Sequence, residues 1–218
     1  MKTNNTKLFT SVEVSRIEEA VRLAEQNTSG EIVPFVVSKS DDYEEAEWRG
    51  GFICVLVFLA VVLALHEFTD IWFPFEWPTI VFAGLLTGIM GILVVKFIPA
   101  VKRLTAGQSL MEERVGGKAA EAFLSEEIFQ TRDRTGILLF LSLLERRVVV
   151  VGDSGINEMV EKGAWGGIVD KILNGIRSGR AADGLVDAIE QSGKLLKQHG
   201  LSVRPDDKDE LSNSFRQR

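Results

Sequence analysis

Cysteine and histidine are almost missing from this chain. Its one cysteine, Cys54, sits inside an apolar run and has no second thiol to pair with, so no intrachain disulfide framework exists. His66 and His199 are the only histidines and lie far apart, which argues against a histidine-rich zinc site or a His-based triad. No Ser-His-Asp, Cys-His or H-E-x-x-H arrangement occurs, and no P-loop or G-x-G-x-x-G. Basic charge is not concentrated into a stripe and the net charge is −6, which argues against nucleic acid as a partner. The opening "MKTNNTKLFTSVEVSRIEE" lacks the apolar core of a secretory signal, so the N-terminus is expected to stay cytoplasmic.

Apolar residues are what the chain has in quantity. They make up 45% of 218 residues, enough to build a real core. Charge is distributed unevenly. Residues 1–49 carry six Lys/Arg and ten Asp/Glu, residues 50–101 carry one and three, and residues 102–218 carry eighteen of each. The middle segment holds two 17-residue stretches without a fixed charge, 50–66 and 79–95. As helices each rises roughly 26 Å, just short of the roughly 30 Å hydrocarbon core, so a small extension lets each span. Between them "HEFTDIWFPFEWP" places Trp72, Phe73, Phe75 and Trp77 around two prolines, as at a membrane interface. Arg49, Lys96, Lys102 and Arg103 flank the outer ends, whereas the connection carries only Glu67, Asp70 and Glu76. By the positive-inside rule this predicts an integral membrane protein with two spans in the lipid bilayer and both termini cytoplasmic. Gly84 and Gly88 form a G-x-x-x-G that permits close helix approach, including self-association with a second copy.

The flanking segments read as one soluble domain. Thr10 and Glu13 form a capping box ahead of Val14, Ile17, Val21 and Ala24 at helical spacing. Residues 31–38, "EIVPFVVS", predict a strand too apolar for an exposed edge, although Pro34 argues against full ladder pairing there. Residues 110–130 predict a long helix interrupted at Gly116 and Gly117. Residues 136–144 and 148–151 predict a buried antiparallel hairpin turning at Glu145, Arg146 and Arg147. Helices are expected over 157–175 and 181–198. The polar, aperiodic residues 201–218 are expected to be disordered. One strand before the apolar block and two after it make a reasonable sheet only together. Two spans return the chain to the side it left, so the block reads as an insertion in a single α/β domain. The divisions are 8–49, 50–101, 102–200 and 201–218.

The best candidate site is "VVVVGDSGINEM". A buried strand ends at Gly152 and a helix follows, so Gly152, Asp153, Gly155 and Asn157 could offer backbone N–H groups to an anion. The bland alternative is a tight turn with Asp153 as a helix cap. Asp133, Asp153 and Glu31 also fall at strand ends, and their hard oxygens would suit calcium or magnesium. Solvated loop charges are the alternative for all three.

These residues carry a family resemblance. "TGILLFLSLLERRVVVVGDSGIN", "AWGGIVDKILNGIRSGRAADGLVDAIEQSGKLL" and "FTSVEVSRIEEAVRLAEQNTSGEIVPFVV" resemble the TPM domain family, in its bacterial branch with a membrane anchor inserted in the domain. The resemblance implies a Rossmann-like α/β/α sandwich with a small mixed sheet, plus the transmembrane hairpin. Some members are described as phosphatases or as calcium-binding. This chain departs from the pattern before the second strand, where Gln130 and Thr135 stand in place of the usual acidic residue and Asn, leaving Asp133 the only carboxylate in that loop. The functional expectation is a binding or assembly module at the cytoplasmic membrane face, engaging a protein partner and responsive to a cation. The alternative is a metal-assisted phosphatase.

Overall fold

The computed structural model describes residues 8–68, 76–203 and 210–218. Most of the interfacial turn, with Trp72, Phe73 and Phe75, lies outside them. In chain order the elements are α1 (Ser11–Glu25), β1 (Glu31–Val37), α2 (Glu44–Phe68), α3 (Trp77–Phe97), α4 (Pro99–Ala106) and α5 (Gln108–Ser125). There follow β2 (Gly136–Ser142), β3 (Arg147–Gly152), α6 (Ser154–Met159), α7 (Gly166–Arg177), α8 (Ala181–Gln198) and β4 (Arg216–Gln217), with a 3-10 turn, Lys162–Trp165, before α7. The chain divides into two compact units, one of Met1–Ser40 with Glu112–Arg218 and one of Asp41–Met111.

The first unit is an α/β sandwich. Its sheet has the order β3-β2-β1-β4, with β1 parallel to both β2 and β4 and β2 antiparallel to β3. Strands before and after the apolar segment therefore share one sheet. All seven residues of β1 and of β2 are buried, which explains their unbroken apolar sequence: helices cover both faces. Ile32, Val36, Ile137, Leu139 and Leu141 face α1, α7 and α8, through Ile17, Val21, Ile172, Leu185 and Ile189. Val33, Phe35, Leu138 and Phe140 face α5, through Val115, Ala119 and Ala122. Phe35 and Phe140, paired in register, stack with ring centroids 5.8 Å apart. Each fully buried side chain of this size contributes about 1.5–3 kcal/mol.

Pro34 sits in the middle of β1 without breaking it. The N–H of Ile32 bonds to Glu25 Oε1 and the carbonyl of Val36 accepts from Arg218, so even-numbered residues direct their polar groups away from β2. The missing N–H of Pro34 points the same way, beyond the reach of the two-residue β4. The ladder to β2 loses nothing.

The capping box of α1 is formed. Thr10 N–H donates to Glu13 Oε2 at 2.8 Å and Glu13 N–H donates to Thr10 Oγ1 at 3.3 Å. Those Thr10 groups, the backbone N–H first and the hydroxyl second, hold the Glu13 carboxyl below its ordinary 4.5. A lowered folded value means stability that is present above the unfolded pKa and is lost as pH falls through the folded one. Thr10→Ala should therefore cost about 1 kcal/mol at neutral pH. In thermal melts its gap to the parent should narrow on acidification below the ordinary glutamate range.

Three expected boundaries shift. Gly116 and Gly117 do not interrupt α5, which runs through them from Gln108 to Ser125 at a cost in helix propensity alone. The helix expected over 157–175 is split, because Val160 turns extended (φ −118°, ψ 117°) to bury its side chain in the core. Within residues 201–218, expected to be disordered, the described stretch 210–218 supplies β4: Phe215 packs edge-on to Phe9 at 5.3 Å and Arg216 pairs with Glu126 at 3.2 Å. A single aromatic and two arginines, too few to register as a periodic pattern, hold that strand.

The second unit is a helical hairpin with a short third helix. Both α2 and α3 are long and apolar enough to cross a membrane. They meet along a narrow seam. A Cβ on Gly88 would stand 2.9 Å from Val55 Cγ2, and one on Gly91 would stand 2.7 Å from Cys54 Sγ. Gly84, Gly88 and Gly91 are thus buried against α2, where they let the two helices of the hairpin approach closely. Away from the seam Phe52, Leu56, Val57, Leu63, Phe82, Leu85, Ile89 and Met90 are all exposed. At the base, buried Lys102 of α4 donates to Glu47 Oε1 at 2.8 Å and to the Asp42 carbonyl at 2.9 Å.

Candidate functional site

Two segments of the α/β unit meet at one end of the sheet, residues 131–135 before β2 and 152–157 after β3. The register brings them together, with Glu31 opposite Gly136 and Ile137 opposite Gly152. This is the amino end of the parallel pair, not the carboxyl end where α/β sheets usually bind ligands. Asp153 caps α6 and is buried, its side chain 4% exposed. A buried carboxylate needs partners. Ser154 N–H donates to Oδ1 at 2.7 Å and Arg134 Nη2 donates to Oδ1 at 2.9 Å, while Arg134 Nε stands 2.7 Å from Oδ2 as an ion pair without hydrogen-bond alignment. Arg134 holds the left-handed backbone region, φ 58°, and its guanidinium also lies 5.8 Å from the Phe129 ring centroid.

The glycines allow close approach of two backbones. A Cβ on Gly155 would overlap the Asp133 carbonyl oxygen and lie 2.9 Å from that of Arg134. Gly155 N–H bonds to Arg134 O at 3.0 Å, Asp153 N–H to Gly136 O at 2.9 Å and Asn157 N–H to Asp153 O at 2.9 Å. Asn157 Nδ2 donates to Gly152 O at 2.6 Å. Of the residues read from the sequence as an anion cradle, Asp153, Gly155 and Asn157 bond their backbone donors within the chain, and so does the intervening Ser154.

The predicted metal trio is not brought together as a donor set. Asp153 is bound by Arg134, and Glu31 Oε1 accepts from Glu210 N–H at 3.1 Å. The backbone carbonyl of Asp133 is placed against this turn, at Gly155. Among the described residues no group of three or more His, Cys, Asp or Glu could hold a metal ion. As placed, these oxygens do not make a shared donor set for calcium or magnesium. Beside the turn, a cavity of about 580 Å³ runs between the outer edge of β3 and α7, lined by Val150, Gly152, Asn157, Trp165, Val169 and Asp170.

A second polar cluster, at the opposite end of the sheet, escaped the sequence reading. Glu145, taken there as part of a charged turn, is buried. Ser40 N–H donates to its Oε1 at 2.9 Å, the Ser142 hydroxyl donates to its Oε2, and the Ser40 hydroxyl donates to Ser142 Oγ at 2.9 Å. A lone serine ending "GILLFLS", three residues before a glutamate, was the available signal. The connection between α7 and α8 also has a packing role. Gly175 and Gly184 let α7 and α8 touch backbone to backbone, and Asp183 pairs with Arg16 of α1 at 2.8 Å.

The class defined by this geometry is an α/β/α sandwich with a small mixed sheet, its strand-end carboxylates paired internally. The family model for the TPM domain matches residues 101–195, so the resemblance read from the sequence is shown over that stretch. The fold is shared with the BA42 protein of the psychrophilic bacterium Bizionia argentinensis, known by NMR, at a TM-score of 0.60 and 21% identity, covering 100% of both chains. No curated protein matches the chain.

Proposed function

We propose that this is a membrane-anchored binding or assembly module, its hairpin of α2 and α3 spanning the bilayer and its α/β unit engaging a protein partner. The carrying observation is the apolar face that α2 and α3 turn outward on every side but their seam, which lipid can cover and water cannot. Arg49, Lys96, Lys102 and Arg103 at the outer ends favour a cytoplasmic α/β unit. The phosphatase alternative would need Asp153 to hold a cation, and Arg134 already fills that place. The cation-responsive form of the reading meets the same obstacle. A topology reporter inserted between Phe68 and Glu76 should be active outside the cell, and the purified protein should not turn over phosphoesters with calcium or magnesium present. Turnover that disappears in a folded Asp153→Asn variant would sink the binding-module reading, and a cytoplasmic reporter would reverse the orientation.

A further inference from the structure

β1 is the central strand of its sheet over its whole length on one side and over only two residues on the other. There, Arg218 N–H donates to the Val36 carbonyl at 2.9 Å and Ser38 N–H donates to the Arg218 carbonyl at 2.9 Å. Side chains of this added strand alternate between the two faces, as strand geometry requires. Phe215 packs on Phe9, and its N–H donates to Glu18 Oε1 at 3.0 Å. Arg216 and Arg218 turn to the other face, where both meet the carboxylate of Glu126 at 3.2 Å and Arg218 lies 5.4 Å from the Phe35 ring centroid. Backbone ladder, aromatic contact and paired charges are the components by which sheet edges take up extended peptides. The ladder is two residues long and the Arg218 side chain is 61% exposed, so the contact is small enough to exchange.

We propose that the outer edge of β1, with Phe9, Glu18, Glu126 and Phe35, is a peptide-docking site. The chain's own residues 215–218 occupy it until an extended segment of a partner protein, of the form aromatic, basic, any residue, basic, displaces them. This deepens the binding-module reading, and rests on it, by giving the chemistry of the partner. The segment 215–218 is then an internal competitor, and its release is the switch.

The test titrates a labelled peptide of residues 212–218, SNSFRQR, into the full chain in detergent, followed by fluorescence anisotropy. Wild type should bind at least tenfold more weakly than the F215A/R216E/R218E variant, whose edge is vacated. Adding Glu126→Lys to that variant should abolish binding, and the peptide with glutamate at both arginine positions should restore it. Equal affinity for wild type and the vacated variant overturns the proposal, as does binding indifferent to Glu126→Lys. Dimers of the wild type that the peptide disperses would also overturn it, in favour of segment exchange between two copies. Hydrogen exchange on the wild type needs no variant. The Arg218 and Ser38 amides should exchange at least tenfold faster than those of the β1–β2 ladder, and equal protection would make 215–218 a fixed part of the sheet. Neither measurement reads phosphoester turnover or membrane orientation, so failure here leaves the broader reading to its own test.

Discussion

Arg134→Met is expected to destabilise the α/β unit by about 2–3 kcal/mol. Removing one partner of a buried ion pair costs about 3–5 kcal/mol, chiefly because the other charge is left without compensation. Asp153 is the charge left behind, with its side chain 4% exposed, but Arg134 is 52% exposed, and solvent screening lowers the figure. The double variant Arg134→Met/Asp153→Asn should recover most of the loss, because asparagine carries no charge and still accepts from Ser154 N–H. Hydrogen exchange of the β2 and β3 amides in the detergent-solubilised protein would report the change locally. A double variant no more stable than the single would show that the guanidinium acts by packing on Phe129 instead.

Gly155→Ala should be at least as damaging, at about 3 kcal/mol. Inserting a methyl group into a filled site usually costs about 1–3 kcal/mol, and the upper end applies where the obstacle cannot rotate away. Here the obstacles are the carbonyl oxygens of Asp133 and Arg134, held by the turn that precedes β2. Gly116→Ala is the matched control. Its Cβ would meet nothing within 4 Å, so helix propensity alone should stabilise α5 by about 0.5–1 kcal/mol. Arg134 and Gly155 share one loop, so the two losses should combine to less than their sum.

Most of the architecture was legible because its signals are periodic. Helical spacing marked α1 and α8, unbroken apolar runs marked β1 and β2, and the even number of spans joined strands from both sides of the insertion. What stayed hidden depends on pairs distant in sequence. Nothing in "TRDRTG" announces that Arg134 takes the left-handed backbone region and grips a carboxylate nineteen residues on. "VVVVGDSGIN" has the residues of an anion loop, and only the hydrogen-bond partners show that the donors of Asp153, Ser154, Gly155 and Asn157 are already committed. Glu145 looked like surface charge because two arginines follow it, while Ser40, its half-buried partner, lies 105 positions away. The short β4 could not be read from pattern at all, since a two-residue strand has no period.

The central pairing of the sheet joins Glu31 to Gly136, with the entire apolar hairpin in the intervening chain. During synthesis at roughly 5–20 residues per second, β1 therefore waits roughly 5–20 s for its neighbour to be made. Closing so long a loop adds little to the equilibrium cost, which grows only with the logarithm of its length, but it makes the parallel pairing a late, non-local event. The local hairpin of α2 and α3 is complete long before then. Order of assembly is thus written into the topology: the hairpin precedes the sheet, and a seven-residue apolar strand needs protection from aggregation until Gly136 has emerged.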